Sequence, residues 1–394
     1  MRIDTVVIGA GQAGLSTGYH LARRGRPFVI LDAHERVGDS WRRHWDSLRL
    51  FTPARYDGLP GMKFPLPPDS FPTRDEMADY LEAYAAKFEL PVRGNARVDL
   101  LTRQGQGFLV KAGEQTFEAD NVVVSSGVWG QPSIPDFADQ LDPSIRQLHS
   151  SQYHNPAQLR PGPVLVVGAS HSGGDIAYEA ARAHQTILCG RDTGQIPFYF
   201  ESRKARVILR VLWLVATRVL TVNRPIGRKE RAAVRAHGGP LIRVKKADLL
   251  EAGVDRVEER VVGVRDGRPV LAGGRVVDVA NVVWCTGFRP DYDWLDLPVL
   301  GEDGYPEQER GIVPEIPGLY FVGLPFLFAF SSMLVGGAGR DARYVVKHLT
   351  ARDARAEPVE AAETLNTLGA VSQAHGRLTE ARRFYSRALR LLDR

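Results

Sequence analysis

Cysteine is nearly absent from this chain: two in 394 residues, Cys189 and Cys285, far apart in sequence. No Cys-x-x-Cys occurs, which excludes a paired-thiol redox centre and a cysteine-rich zinc site. Two cysteines make no disulfide framework, in keeping with a reducing cytoplasm. No apolar run reaches the roughly 20 residues that a membrane-spanning helix needs. The longest, 207–222, is interrupted by Arg210 and Arg218. A secretory signal is not expected either, because the first strand-like run begins within a few residues of Met1. An even spread of charge is also lacking. The formal net charge is +5, yet residues 201–246 hold 13 Lys and Arg against Glu201 and Glu230, leaving 38 basic and 44 acidic residues elsewhere. No aromatic stacking motif, zinc finger or heptad-linked basic region accompanies the basic segment, which excludes the usual nucleic-acid modules.

What is present is organised around the first fifteen residues. Thr5 to Gly14 read Thr-Val-Val-Ile-Gly-Ala-Gly-Gln-Ala-Gly, an apolar β-branched run that drops into Gly9-x-Gly11-x-x-Gly14 and then a helical stretch. This is a buried strand, a tight turn and a helix N-terminus: Gly9 permits the turn, Gly11 lets the backbone approach a pyrophosphate, and Gly14 lets helix and strand pack closely. The unpaired N–H groups at the helix start face the phosphates. A second strand, Phe28 to Leu31, ends in Asp32, 18 residues after Gly14, where a ribose hydroxyl ligand belongs.

The pattern returns at Val164 to Val167, which lead into Gly168-Ala-Ser170-His-Ser172-Gly173-Gly174-Asp175 and a helix from Ile176 to about His184. The following strand, Thr186 to Cys189, ends in Gly190-Arg191. An acid suits an unphosphorylated ribose and an arginine suits a 2′-phosphate. Two different nucleotides are therefore expected, a flavin-adenine dinucleotide on the first unit and NADPH on the second. The fold class is α/β, with two Rossmann-like dinucleotide-binding domains and a short C-terminal helical hairpin. The expected boundaries are 1–157 with 281–350 for FAD, 158–280 for NADPH, and 355–394 for the hairpin.

Between these loops lie segments of other character. Trp41, Trp45 and Phe51 cluster after Asp32, enough aromatics to cover a flat ring system or to plug a core. Thr73 and Glu76 form a capping-box signature ahead of a helix to about Phe88. Residues 92–124 alternate as a small antiparallel insertion that returns to the main sheet at Val122 to Val124. Strands break into small residues at Ser125-Ser126-Gly127, at Cys285-Thr286-Gly287 and at Gly323, where backbone can approach a ligand. Residues 254–283 alternate around glycine turns, and a last helix is expected at Asp341 to Leu349. For 207–222, flanked by basic residues, two readings stand: a helix lying on an anionic membrane surface or lining a greasy entrance, or one buried in a domain or subunit interface with its arginines in solvent. Residues 351–360 read as a polar linker. Beyond them Leu365, Leu368, Gly369, Gly376, Leu378, Ala381, Tyr385 and Ala388 have the spacing of one tetratricopeptide repeat. A single such repeat cannot bury its own apolar face, so it would dock on the body, pair with another chain as a protein partner, or be the cut end of a longer array; the plainer reading is an amphipathic helical hairpin.

From Met1 to about Thr350 the motifs together resemble the NADPH-dependent flavin-containing (YUCCA-like) monooxygenases. They are GAGQAG at 9–14, GDSW at 38–41, WDSLRLFTP at 45–53, FPTR at 71–74, SSGVWGQPSIP at 125–135, GASHSGGD at 168–175 and CTGFRP at 285–290. The resemblance implies FAD, NADPH and molecular oxygen, with one oxygen atom passed to a small organic substrate through a C4a-(hydro)peroxyflavin. The cofactor-binding residues it implies, beside those named above, are Gln12, Ser40, Trp41, Thr52, Ser126, Ser170, Ser172, Thr286 and Gly323. Three departures stand out. Pro143 and Ile145 occupy positions where the family fingerprint ahead of His149 has Phe and Gly. Tyr153 in place of Trp leans away from the Baeyer–Villiger branch. Phe51-Thr52 replaces the Asn-Thr pair of animal-type members. No acid or base is assigned, because a lone histidine such as His149 or His171 beside a cofactor loop more often serves the structure. The alternatives are an NADPH oxidase or flavin reductase without organic substrate, a Baeyer–Villiger enzyme, and a nucleotide-binding adaptor that recruits partners through 355–394.

Overall fold

The computed structural model describes residues 1–127, 130–236, 238–375 and 377–392. Val128 and Trp129 of the SSGVWGQPSIP motif, and Gly376 of the repeat-like tail, lie outside the described residues. The chain forms two units, Met1–Ala342 and Arg343–Arg394.

In the first unit, strand Arg2–Ile8 lies in parallel between Phe28–Leu31 and Gln115–Val124. Residues covered on both faces must be apolar throughout, which is why these strands read as continuous runs. Val6 and Ile8 pack with Val29, Leu31, Val122 and Val124 in one core. Gln115–Val124 has a divided role. Its first half runs antiparallel to Gly107–Ala112, and its second half runs parallel to Leu319–Phe321. The expected antiparallel insertion is thus an extension of the main sheet.

A second sheet is wholly parallel, in the order Asp255–Val257, Thr186–Cys189, Val164–Val167, Asn281–Trp284, Arg146–His149. Its last two strands come from outside the expected 158–280 segment, so Arg146–His149 and Asn281–Trp284 belong to the second sheet and not the first. Strand order in a parallel sheet is set by crossovers, which local sequence does not display. Val261–Arg265 and Arg268–Leu271 form a separate hairpin.

Helix boundaries differ from expectation in two places, after the second glycine loop and at the last helix, and agree at the capping box. The helix after the second loop is His171–Ala180, starting inside the glycine motif, as Gln12–Ala22 does in the first. Helix Arg74–Lys87 carries the capping box, with Thr73 and Glu76 satisfying each other's backbone amides. The last helix is not confined to Asp341–Leu349: it runs from Val335 to Ala374. That removes the linker expected at 351–360, where Ala, Arg and Glu, all strong helix formers, outweigh the polarity of the segment.

In the second unit the helices ending at Ala374 and spanning Leu378–Leu392 pack through small residues. A Cβ at Gly369 would meet the Tyr385 ring at 2.7 Å, and Ala381 and Ala388 are buried, while Leu368, Val371, Leu378 and Leu389 are exposed.

Candidate cofactor-binding site

The two glycine loops are built alike in backbone. Gly9 and Gly168 sit at φ +104° and +108°, where a side chain is strained, and a Cβ on either would strike the carbonyl of the residue just after a neighbouring strand, Ser125 or Cys285. A Cβ on Gly14 would overlap the Gly9 carbonyl oxygen, and one on Gly173 the Gly168 carbonyl oxygen. These contacts pull each helix start onto its strand. In the first loop Ser125 Oγ donates to the Ile8 carbonyl at 2.8 Å and the Gly9 carbonyl at 3.1 Å. Ser126, the residue expected from sequence, is exposed beside it.

Gly11 differs from its neighbours. No protein atom lies within 4 Å of where its Cβ would be. The helix that follows has no side-chain cap and no acid in its first turn. Its counterpart His171–Ala180 is likewise uncapped. Ser170 stands at the Gly11 position with a similar extended backbone, and its hydroxyl is spent on the Gly239 carbonyl at 2.7 Å. Helix Arg74–Lys87, by contrast, is fully capped by Thr73 and Glu76. Helix N-termini need partners for their first amides, and these two hold theirs open at the approach expected of a pyrophosphate. Open space at Gly11 and uncapped amides fit a dinucleotide in both loops.

The ends of the second strands also differ as the sequence implies. Asp32 Oδ2 accepts from the Ala10 amide at 2.5 Å, and Oδ1 accepts from the His34 amide at 2.8 Å and faces His34 Nδ1 at 2.9 Å. Burial works against ionisation here. The hydrogen bonds from His34 and Ala10 outweigh it and hold the carboxyl below its usual range. Asp32 thus ties the loop to the strand end as a carboxylate. Arg191 follows Gly190 at the matching place in the second fold. It is exposed and makes no hydrogen bond or ion pair among the described residues, leaving its guanidinium free for an anion.

The other expected residues fall into two groups. Gly323 joins the first loop, its Cβ position 2.9 Å from Ala13 Cβ. Gln12 and Ser172 lie in the first turns of the two nucleotide helices. Ser40 and Trp41 sit on the short helix Asp39–Arg42, with the Trp41 ring against His44. Thr286 Oγ1 donates to the Ser133 carbonyl, so its hydroxyl is already committed. Thr52 donates to Asp57 Oδ1 at 2.5 Å. Phe51 packs near the His171 ring, centroids 6.1 Å apart, which brings the segment before Thr52 to the start of the second helix.

The two histidines differ: both ring nitrogens of His149 have partners, and His171 Nε2 has none among the described residues. His149 is fully buried between Ser151 Oγ at 2.9 Å and the Gly287 carbonyl at 3.0 Å, and burial depresses its pKa. Burial depresses His171 in the same way. Asp57 was not singled out by sequence. It is fully buried, Oδ2 has no partner among the described residues, and burial pushes its pKa up to about 8 against the opposing Thr52 hydrogen bond.

Two such folds in series, one ending in an acid and one in an arginine, define a dinucleotide-dependent flavoprotein oxidoreductase. Comparison with known proteins agrees. The pyridine nucleotide-disulphide oxidoreductase family matches residues 6–198. The Geobacillus kaustophilus oxidoreductase CzcO-like is 36% identical over 349 residues, 88% of this chain and 98% of its own. The Arabidopsis thaliana probable indole-3-pyruvate monooxygenase YUCCA7 is 25% identical over 86% of both chains. The solved flavin-containing monooxygenase from Stenotrophomonas maltophilia superposes with a TM-score of 0.69 at 28% identity, over 89% of this chain and 99% of that one. The chain belongs to the flavin-containing monooxygenase family, whose YUCCA-like members it matches, and FAD and NADP(H) are its cofactors. Disulphide chemistry does not follow from the first match. Both cysteines are free thiols, and burial pushes Cys189 up to about 12.

Proposed function

We propose that the protein is an NADPH-consuming, FAD-dependent monooxygenase that transfers one atom of molecular oxygen to a small organic substrate. The observation that carries this reading is the pair of equivalent glycine loops with Asp32 closing one and Arg191 closing the other. FAD, when bound, supplies hydride acceptance from NADPH and the activation of dioxygen.

The remaining tasks fall to the chain. The open face of Gly11 and the amides of Gln12 and its neighbours bind the FAD pyrophosphate, and Asp32 orients the adenosine ribose. Gly323, Ser126, Thr286, Ser40, Trp41 and Thr52 are assigned to the flavin side, with Thr286 acting through its backbone. Gly168, Ser170, Ser172 and Gly173 receive the NADPH pyrophosphate, Ser170 through its amide because its hydroxyl is held by Gly239. Arg191 neutralises the 2′-phosphate. Among the described residues no helix is long and apolar enough to cross a membrane, and a cytoplasmic location goes with this reading. The two C-terminal helices are assigned as a repeat-like unit for a protein partner.

The test is spectroscopic. The purified protein should carry an oxidised flavin spectrum that NADPH bleaches without oxygen, and admitting oxygen with a substrate panel should yield an oxygenated product. An absent flavin, or one that NADPH leaves oxidised, overturns the reading. Stoichiometric hydrogen peroxide across the panel would assign an NADPH oxidase instead.

A further inference from the structure

The apolar run at 207–222 folds as helix Ala205–Leu214 followed by a π-helical turn, Val215–Val219. Its inner face is accounted for. Ala205 and Leu209 pack with Phe200, beside Phe51 and Phe71. Trp213 stacks on Tyr56 with centroids 4.5 Å apart and planes 17° off parallel. Its outer face is left largely open among the described residues. Val207, Val211 and Leu214 recur at helical spacing and are 65%, 56% and 50% exposed. Large aliphatic side chains left in water along one stripe are unusual for a surface helix.

Charge accompanies the stripe. Arg203, Lys204, Arg206 and Arg210 are exposed around it, and Arg218 follows. Arg206 is the one member of that set with an ion pair among the described residues, to Asp69 at 3.5 Å. The next helix, Pro225–Ala236, repeats the chemistry, with Ile226 53% exposed amid exposed Arg224, Arg228 and Lys229. The acids of the whole 201–246 segment are Glu201 and Glu230.

This composition discriminates between occupants. A two-fold contact between copies would set one basic face against itself, with two acids per chain to relieve the repulsion. A helix with an apolar stripe and flanking lysines and arginines gains both ways on an anionic bilayer: the aliphatic side chains enter the acyl boundary while the cations meet headgroups.

We propose that the 203–229 face docks peripherally on an anionic lipid surface. This is an interaction surface, independent of which substrate the enzyme oxidises. Each Lys or Arg near such a surface is worth roughly a fivefold change in partitioning, so binding is salt-sensitive, while the aliphatic stripe makes it depend on a bilayer rather than on charge alone.

The experiment is flotation of the flavin-loaded protein with vesicles of phosphatidylcholine alone, or of phosphatidylcholine with phosphatidylglycerol. Retention on the phosphatidylglycerol vesicles should exceed that on phosphatidylcholine at least tenfold and fall when salt is raised. The variant Val211→Glu with Leu214→Glu should lose it to the phosphatidylcholine level, as should Lys204→Glu with Arg210→Glu. All four positions are exposed, so flavin content and NADPH oxidation should stay at wild-type values and report an intact fold. Absent retention, equal retention on both vesicles, or unchanged retention by the Val211→Glu, Leu214→Glu variant overturns the proposal. So does a concentration-dependent dimer, abolished by that variant, in a protein that ignores vesicles: the face would then be a contact between copies.

Discussion

Thr52 donates its hydroxyl hydrogen to Asp57 Oδ1 at 2.5 Å, and nothing among the described residues reaches the other oxygen of that fully buried carboxyl. An unsatisfied buried carboxylate is costly, so the group keeps its proton to about pH 8. A carboxyl whose folded pKa is raised binds more protons folded than unfolded between about pH 4 and 8. Its stabilising contribution is complete below that window and is lost as pH rises through it, with a slope of roughly 1.4 kcal/mol per pH unit. Asp57→Asn keeps an acceptor for Thr52 and cannot ionise. The thermal midpoint of the wild type should therefore fall relative to that of the variant from pH 6 to pH 9. Parallel curves would mean that Asp57 ionises freely in the folded protein.

The glycine loop separates packing from ligand binding at adjacent positions. Alanine at Gly14 would collide with the Gly9 carbonyl, an overpacking fault of about 1–3 kcal/mol, so Gly14→Ala should lower both apoprotein stability and flavin content. Alanine at Gly11 meets no protein atom and sits at an allowed φ of −75°. Gly11→Ala should leave the apoprotein within about 1 kcal/mol of wild type and still purify depleted of flavin. Absorbance at 450 nm against 280 nm, with urea unfolding of the apoprotein, reads the two effects. Equal flavin content in Gly11→Ala and wild type would move the pyrophosphate away from this loop.

These loops were legible because most of what they need is local. Strand, turn, helix start and strand-end residue fall within about 30 residues, and Gly14 and Gly173 are required by the Gly9 and Gly168 carbonyls of the same motif, whereas the carbonyls that crowd Gly9 and Gly168 come from the distant Ser125 and Cys285. The capping box at Thr73 was legible on the same ground. What escaped sequence depends on distant chain. Ser170 is held by Gly239, 69 residues on, and Asp57 is unusual because of what surrounds it rather than what adjoins it. Arg146–His149 and Asn281–Trp284 pair with each other across 135 residues of register, so neither announces its sheet. The segment 351–360 misled in the opposite sense: polarity suggested a linker where helix propensity prevailed.

The C-terminal hairpin supplies a test confined to its own unit. Gly369 lies where a Cβ would come within 2.7 Å of the Tyr385 ring, and Ala381 and Ala388 are buried on the facing helix. Gly369→Val forces a branched side chain against that ring and should loosen the pair, costing about 1–3 kcal/mol. Limited proteolysis followed by mass spectrometry should show cleavage within 364–392 rising several-fold over wild type. Unchanged protection would mean that the helices do not depend on that close approach.

On the proposed assignment, Arg191 decides which nicotinamide cofactor the second fold prefers. It is exposed, follows Gly190 at the end of Thr186–Cys189, and carries no ion pair among the described residues, whereas the nearby Lys246 is bound to Asp192. A guanidinium with no internal partner loses little when removed from the free protein, so Arg191→Ala should fold and hold flavin as the wild type does. A charged hydrogen bond to a 2′-phosphate is worth about 1.5–3 kcal/mol, or roughly 10- to 150-fold in binding. The KM for NADPH should rise by that factor while the KM for NADH changes less than about twofold, because NADH has no phosphate there. Steady-state kinetics with both cofactors measures the split, and proportional losses would place the phosphate ligand elsewhere.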